Sequence, residues 1–388
     1  MRWTVKENEE SLCAGMTETD IPARIPANLR ILHKNRAYYT LAENIAGIIP
    51  FNNRHVLNII PKYPHIDPIE LLLYIHDINI VVDENHAEQY GRGDESVRLE
   101  TIAQMFAREL IAMQMHPMKF HRKAIRIDTS AIKGKVDWLA TSRLHRQGKL
   151  NLIATTYSVP TLIIPENILI AKAARKVLPL FARSTSEWEV LYQWSNMTVP
   201  EKLPASFFAR FDRALRQEQF SGAHAYYYHP LILAQAVLGF SGLAGGVDFA
   251  DDAILFNMPS LYEDFVRTAF QRQSHRLGLT CQKGFTPQSF LFHGGMCEMI
   301  PDIAIYYGAN INALLDVKYK SPDSKDFYQL YSYVKYAGLS DAYIISPAVK
   351  DDETIVSFDG CQIHMVHVDT SSPGQIERKA HCILENVI

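Results

Sequence analysis

The chain has 388 residues, and 47% of them are hydrophobic, which is enough for two domains with apolar cores. Its 39 basic and 42 acidic residues leave a net charge of −3, so the overall charge gives no indication of nucleic-acid binding. The five scattered cysteines exclude a disulfide framework and are typical of a reducing compartment. No apolar run approaches the ~20 residues of a membrane span, and the N-terminus is too charged for a signal peptide, so we expect a cytoplasmic protein.

The N-terminal part of the chain is expected to be rich in β-structure. Residues 1–35 are polar and show no regular pattern, whereas residues 37–82 combine short strand patterns with a helix at about residues 67–76. Residues 96–115 have helical periodicity. Residues 120–164 are predicted to be rich in β-structure, with basic turns.

Residues 119–149 carry a local excess of positive charge. Nine basic residues stand against Asp128 and Asp137, a local charge of +7 that leaves −10 for the remainder. Such a stripe fits contact with DNA phosphates or with an acidic protein partner, and a solvated β-surface is the third alternative. The nine are Lys119, Arg122, Lys123, Arg126, Lys133, Lys135, Arg143, Arg146 and Lys149.

A mostly helical pattern covers residues 166–240, and the glycine-rich residues 241–251 are the expected hinge before the C-terminal part. We expect the connecting helices to pack on the C-terminal part. The predicted domains are therefore residues 1–160 and residues 161–388, the second with a core at about residues 251–350.

A tight β-hairpin is predicted near the C-terminus. Residues 303–307 and 311–315 are apolar and β-branched, and they flank a three-residue loop at residues 308–310. This register places Asp302 directly opposite Asp316, with Cβ atoms roughly 4.5–5.5 Å apart.

The hairpin gathers three charged groups on one face. Side chains alternate along a strand, so Lys318 shares the face of Asp316. Two close carboxylates repel unless a cation lies between them, and Mg²⁺, with Mn²⁺ as its substitute, suits such oxygen ligands. We therefore predict that Asp302 and Asp316 bind the metal. Lys318 would orient or deprotonate a water molecule, or neutralise negative charge. The alternative is an ordinary surface cluster.

A helix that begins near residue 258 is predicted to bring in a third carboxylate, that of Glu263. Apolar residues between positions 261 and 270 recur at helical spacing and form one stripe. The alternative explanation for Glu263 is a capping box with Ser260.

The segment after Lys318 predicts a helix at about residues 323–337 and a strand at residues 342–345. Gln329 and Tyr333 are four residues apart and share one helical face. They would contact the DNA backbone or brace the site, and simple packing is the alternative for Tyr333.

This order of helix, hairpin, helix and strand resembles the core of the PD-(D/E)XK nuclease superfamily, whose motif is matched by Asp302, Asp316 and Lys318. The chain resembles more narrowly the McrC family, the nuclease subunit of the modification-dependent restriction system McrBC, from about residue 40 to about residue 350. The segments that carry this resemblance are residues 44–49, 57–63, 132–137, 165–174, 261–266, 315–320 and 328–330.

The resemblance implies an α+β protein with an N-terminal β-rich domain, a helical connector and a C-terminal nuclease core with a mixed sheet. It implies that the N-terminal domain docks on a hexameric McrB-like AAA+ GTPase, and that the C-terminal domain cuts double-stranded DNA. It also implies the backbone carbonyl of Val317 as a metal ligand, and we assign Lys320 to DNA binding with Gln329 and Tyr333. The chain has no G-x-x-x-x-G-K-[ST] phosphate loop, so the motor would be another chain.

Two other functions remain open. A RecB-like repair or recombination exonuclease shares the same core, and a silent nuclease that only activates a motor GTPase would not be an enzyme. A zinc site at Cys361, His364 and His367 is not expected, because a spacing of three along a strand places neighbours on opposite faces.

Overall fold

The computed structural model describes residues 2–22, 25–52, 55–76, 95–198, 222–238, 254–292, 294–370 and 373–387. The chain divides into two compact units, one of residues 1–82 and 239–388 and the other of residues 83–238. This division differs from the expected boundary at residue 160. The N-terminal segment packs with the C-terminal fold, and the connecting helices belong to the other unit. The predicted hinge at residues 241–251 lies outside the described residues.

The secondary structure alternates between strands and helices along the described chain. The strands are β1 Arg2–Lys6, β2 Ser11–Leu12, β3 Leu29–Lys34, β4 Ala37–Ala42, β5 Ile45–Pro50, β6 Val56–Ile60, β7 His121–Thr129, β8 Lys135–Val136, β9 Ile153–Thr161, β10 Ile254–Asn257, β11 Thr280–Gln282, β12 Ser289–Phe292, β13 Met296–Met299, β14 Ile303–Tyr307, β15 Asn310–Val317, β16 Asp341–Ser346, β17 Glu353–Val356 and β18 Gln362–His367. The helices are α1 Pro68–Ile75, α2 Glu95–Met113, α3 Trp138–Arg146, α4 Pro165–Val177, α5 Ser186–Ser195, α6 Tyr228–Leu238, α7 Met258–Arg276, α8 Ser324–Ala337 and α9 Pro373–Asn386. None of these described helices is long and apolar enough to cross a membrane.

The N-terminal residues are more ordered than expected. The prediction of irregular structure for residues 1–35 is wrong, because β1 pairs in parallel with β6 and completes a sheet with the order β1-β6-β5-β10. Trp3 and Val5 of β1 are buried and pack with Leu57 and Ile59 of β6. A second sheet has the order β2-β4-β3. In the first sheet, β5 and β6 pair in antiparallel fashion.

In the other unit, β7, β9 and β8 form a three-stranded antiparallel sheet, and α2, α4, α5 and α6 pack against one another. The β-rich character expected between residues 120 and 164 is seen in β7, β8 and β9, and α3 lies between β8 and β9 in addition. The Asp137 side chain caps α3 by accepting a hydrogen bond from Ala140 N–H at 3.0 Å. A small core of Ala140, Leu144 and Ala154 holds α3 against β9.

The C-terminal fold is a six-stranded sheet with the order β11-β14-β15-β16-β18-β17. Its central strands β15, β16 and β18 are parallel, and the flanking pairs are antiparallel. The helix α8 connects β15 to β16 and packs on one sheet face through Leu330 and Val334, against Leu314 and Ile344. Alternate strand residues point to the other face, and α7 contacts β15. The mixed sheet agrees with the expected α+β class.

The strands β14 and β15 pair in the predicted register at the end of the hairpin that carries Asp302 and Asp316. Ile303 pairs with Leu315, as predicted, so the next pair outward is Asp302 and Asp316. The turn differs from the prediction, since Tyr307 pairs with Asn310 and the loop has two residues. A β-bulge after Ile305 restores the register, because one strand carries an extra residue there.

Candidate active site

Asp302 and Asp316 lie together where the antiparallel pairing of β14 and β15 ends. Asp302 Oδ2 accepts a hydrogen bond from the backbone N–H of Val317 at 2.8 Å, and Asp302 directly precedes the pair of Ile303 and Leu315, so that it faces Asp316 across the two strands. Asp316 is only 2% exposed, and Asp302 is partly buried. The predicted pair of facing carboxylates is thereby confirmed.

The environment of this pair opposes two negative charges. Burial, together with the nearby Asp316 and Glu263 carboxylates, raises the pKa of Asp302 to about 7. Burial also raises the pKa of Asp316, although Lys318 counteracts that effect. A buried pair of hard oxygen ligands that resists double ionisation is a fitting place for a divalent cation.

Lys318 faces the same patch, as predicted. Its Nζ lies 2.8 Å from Asp316 Oδ2 and 3.7 Å from Asp326 Oδ1. Burial alone would lower the pKa of Lys318, but Asp316, Asp302 and Asp326 together raise it. Lys318 is therefore a protonated cation in this arrangement, which favours a role in charge neutralisation and orientation over that of a base.

Asp326 belongs to this cluster, although sequence reasoning missed it. It is 7% exposed, and its Oδ2 lies 2.8 Å from Lys320 Nζ. The same oxygen accepts a hydrogen bond from Asp323 N–H at 2.8 Å, which completes a capping box at the start of α8. The Asp323-x-x-Asp326 spacing was the available signal, because it places an acidic residue in the first helical turn, directly after the lysine motif.

Glu263 lies near the carboxylate pair, but its hydrogen bonds go elsewhere. Its Oε1 accepts from Arg267 Nη1 at 2.8 Å and also from Lys283 Nζ. The alternative capping box with Ser260 is wrong, because α7 begins earlier and Asn257 caps it by accepting from Ser260 N–H at 3.1 Å. Glu263 therefore acts on Asp302 through its charge.

The helix α8 has the predicted bounds, with Asp323 as its N-cap and Gly338 as its C-cap. Gln329 and Tyr333 share one face, and Gln329 Nε2 donates to the Tyr333 hydroxyl at 2.9 Å. Gln329 is exposed, whereas Tyr333 is 7% exposed and packs edge-on against Phe285. Tyr333 therefore packs in the core and also accepts a hydrogen bond from Gln329, and Gln329 is the member of the pair that faces solvent.

The basic stripe lies in the other unit and is partly neutralised. Lys119 Nζ lies 2.6 Å from Glu166 Oε1, and Arg126 lies 3.9 Å from Asp137. The other seven members of the stripe are exposed, and they are Arg122, Lys123, Lys133, Lys135, Arg143, Arg146 and Lys149. These seven residues are accessible cations for a DNA or protein partner.

Across the described part of the chain, no three His, Cys, Asp or Glu side chains cluster as a ready metal-binding set. Of the three residues considered for zinc, His367 has a close polar neighbour, since its Nδ1 atom lies 2.7 Å from Ser346 Oγ. A cation between Asp302 and Asp316 would need ligands beyond side-chain carboxylates.

Residues 41–347, most of the chain, match the family described as McrBC 5-methylcytosine restriction system component. The chain belongs to this family. Among curated proteins, no match was found.

Two solved structures resemble this McrBC family member. One is a chain of a half-complex from a tetradecameric assembly of Thermococcus gammatolerans McrB AAA+ hexamers with bound McrC, with a TM-score of 0.57 at 16% identity over 100% of both chains. The other comes from a cryo-EM structure of the Thermococcus gammatolerans McrBC complex, with a TM-score of 0.39 at 17% identity over 70% of this chain and 88% of that one. At such identities, the first likeness shows a shared fold.

Proposed function

We propose that this McrBC family member is a metal-dependent DNA endonuclease subunit of a restriction complex. It would hydrolyse phosphodiester bonds in double-stranded DNA after recruitment to an AAA+ GTPase motor. The observation that carries the proposal is the buried pair of Asp302 and Asp316 with Lys318 beside it. The three charged groups lie together where β14 begins and β15 ends, and burial alone would disfavour their charged forms there.

Asp302 and Asp316 would hold Mg²⁺, or Mn²⁺ in its place. The pKa of Asp302, raised to about 7, supports this role, because a cation relieves the repulsion that keeps a proton on the pair. The carbonyl of Val317 is the further ligand expected from the family resemblance. A bound Mg²⁺ polarises a phosphodiester and makes a bound water more acidic.

Lys318 would neutralise charge that develops on the scissile phosphate and orient the attacking water. Its raised pKa supports the first role, since a protonated ammonium is present at neutral pH. Glu263 would tune the pair through its charge. Gln329 and Lys320 would contact the DNA backbone, and Tyr333 would hold Gln329 in place through its hydroxyl.

The partner is proposed from the solved neighbours. They are described as McrB AAA+ hexamers with bound McrC and as an McrBC complex. We propose a McrB-like AAA+ GTPase hexamer as the motor, docking through residues 1–160, and a cytoplasmic location. The exposed Arg122, Lys123, Lys133 and Lys135 are candidates for this contact or for DNA.

The deciding experiment compares wild-type protein, Asp316→Asn and Asp351→Asn, each with a McrB-like AAA+ GTPase, GTP, Mg²⁺ and methylated closed-circular DNA. Asp316→Asn should lower the cleavage rate at least ~10³-fold, because the metal stabilises the transition state by several kcal/mol. It should still bind and stimulate the GTPase. Asp351 is an exposed aspartate, and its variant is the matched control, with cleavage at the wild-type rate.

The same assay separates the other two functions. Cleavage that needs free DNA ends and ignores methylation would favour the RecB-like exonuclease. GTPase stimulation without cleavage by the wild-type protein would favour the silent activator. Full cleavage by Asp316→Asn would refute the site assignment.

A further inference from the structure

A buried glutamate at the N-terminus lies beneath the proposed nuclease motif. Glu7 follows β1 and is 0% exposed. Its Oε2 accepts hydrogen bonds from Lys62 N–H at 3.0 Å and from the Tyr319 hydroxyl at 2.9 Å. Burial raises the pKa of Glu7, because a buried carboxylate is costly to ionise. A fully buried carboxyl group is therefore expected to have a specific structural or functional role.

Tyr319, the residue next to Lys318, is the link between this glutamate and the motif. β15 ends at Val317, so the strand pairing no longer holds this part of the chain. The backbone of Lys318 is tied on one side by its N–H, which donates to the Ile345 carbonyl at 2.9 Å. The Tyr319 hydroxyl on Glu7 is a second tie, one residue further on.

The ring of Tyr319 is enclosed by aromatic and cationic neighbours. The ring centroids of Tyr63 and Tyr262 lie 5.4 Å and 5.9 Å from that of Tyr319. Lys62 Nζ lies 4.4 Å from the Tyr319 ring centroid, which is within the range of a cation–π contact. Segments from both ends of the chain thus meet at the residue that follows Lys318.

We propose that Glu7 is a positioning residue of the nuclease site, acting through the Tyr319 hydroxyl to fix the backbone that carries Lys318. This inference rests on the proposed nuclease function. Well-packed apolar side chains in this place would stabilise the fold at least as well as a buried acid. The carboxylate instead provides a directional bond to one residue of the motif. A displacement of about 1 Å at a catalytic group lowers rates up to ~10²-fold, so this bond has a measurable consequence.

The test uses four variants of the full chain with its AAA+ partner: Tyr319→Phe, Glu7→Ala, Glu7→Gln and Tyr63→Phe. Tyr319→Phe and Glu7→Ala should each lower the single-turnover cleavage rate about tenfold at saturating Mg²⁺ and DNA, as expected for a displaced catalytic group. DNA affinity should stay unchanged. Glu7→Gln should keep the rate within about threefold of wild type, because its amide oxygen still accepts from the Tyr319 hydroxyl. Tyr63→Phe is the matched control, since it removes a hydroxyl from the same cluster without touching the bond to Glu7, and it should cleave normally.

The double variant Glu7→Ala/Tyr319→Phe should be no slower than either single variant, because both remove the same bond. Two independent losses that multiply would overturn the proposal, as would wild-type cleavage by Tyr319→Phe.

Amide hydrogen exchange supplies a readout that does not need cleavage. The peptide containing Lys318 and Tyr319 should exchange faster in Tyr319→Phe than in wild type, and its exchange should increase more than that of β1. Unchanged exchange in this peptide would show that the hydrogen bond between Tyr319 and Glu7 does not fix the backbone at Lys318. If the wild-type protein does not cleave DNA at all, the proposed function fails. The exchange measurement then still decides whether Glu7 fixes this segment.

Discussion

The backbone N–H of Val317 donates a hydrogen bond to the side chain of Asp302 at 2.8 Å. This bond ties the acid at the start of β14 to the end of β15, between Asp316 and Lys318. The same N–H favours the ionised form of Asp302, although burial and the neighbouring acids outweigh it. The carboxylate is therefore held in place and kept hard to ionise, which is a suitable starting state for a site that gains a cation.

A stability measurement on metal-free protein tests this balance. The pKa of Asp302 is raised to about 7 in the folded protein from 3.8. Between these pH values the folded state therefore binds more protons than the unfolded state. As a result, the contribution of Asp302 to the free energy of unfolding falls as the pH rises from about 4 to about 7.

Asp302→Asn removes that pH-dependent loss and keeps an oxygen that accepts from Val317 N–H. At pH 8 in EDTA it should be more stable than wild type by about 1 kcal/mol, a melting temperature ~2–4 °C higher. At pH 4 the two proteins should melt together, as followed by circular dichroism. A difference that shrinks as the pH rises would contradict the assigned burial and repulsion.

Glu263 offers a test of the electrostatics without removing a ligand. Its charge is one of the causes that raise the pKa of Asp302, and it pairs with Arg267 and Lys283. Glu263→Gln should lower the pKa of Asp302 and move the acidic limb of the cleavage–pH profile to lower pH by a few tenths of a unit. The maximal rate should fall less than about tenfold, whereas loss of a metal ligand costs several kcal/mol.

The measurement for Glu263→Gln is the single-turnover rate between pH 5.5 and 8.5. Its control is Glu298→Gln, a substitution of an exposed glutamate on β13. If Glu263→Gln abolishes cleavage at every pH, Glu263 is a ligand or a proton donor and does not act only through its charge.

Asp326 is expected to matter for the rate and not for DNA binding. It is the second acid beside Lys318, at 3.7 Å, and Lys320 also pairs with it. Asp326→Asn keeps the oxygen that accepts from Asp323 N–H and removes the charge. Lys318 then loses one of the three acids that raise its pKa and keeps its ion pair with Asp316, and we expect the cleavage rate to fall about tenfold, equivalent to ~1.4 kcal/mol.

Asp323→Asn is the matched control for Asp326→Asn. It removes the other acidic partner of Lys320, at 2.7 Å, and leaves the neighbours of Lys318 intact. Asparagine is as good an N-cap as aspartate, so α8 should be preserved. Equal losses in the two variants would show that Lys320, and not Lys318, accounts for the effect.

The sequence predicted the register of the hairpin better than its turn. Alternation of apolar residues along β14 and β15 determines which side chains share a face, and this places Asp302 against Asp316. A Gly/Asn turn is compatible with loops of two or three residues. Periodicity does not distinguish a three-residue loop from a two-residue loop followed by a bulge, and both give the same pairing at Ile303.

The N-terminal strand was not predictable by the same means. β1 pairs in parallel with β6, with Arg2 opposite Val56, so the partners are more than 50 residues apart and no turn marks the pairing. Glu7 adds to the difficulty, because a glutamate in a polar segment is normally exposed. Its partners Lys62 and Tyr319 are brought to it only by the tertiary fold.

The pair of Gln329 and Tyr333 gives the last prediction, because its two members differ in burial. Gln329 is exposed and donates to the Tyr333 hydroxyl at 2.9 Å. Gln329→Ala should weaken DNA binding several-fold with little change in stability. Tyr333→Phe keeps the ring against Phe285 and should behave like a weaker form of Gln329→Ala, because only the orienting hydroxyl is lost.

Tyr333→Ala should instead destabilise the fold by about 3 kcal/mol, since it leaves a cavity in the core beneath α8. Fluorescence anisotropy with catalytically inactive Asp316→Asn protein measures the DNA affinity, and urea unfolding measures the stability. If Gln329→Ala binds DNA as tightly as its parent while Tyr333→Phe unfolds at lower urea concentration, the pair only braces α8. The DNA contact must then be sought elsewhere, first at Lys320, whose ammonium lies between Asp323 and Asp326.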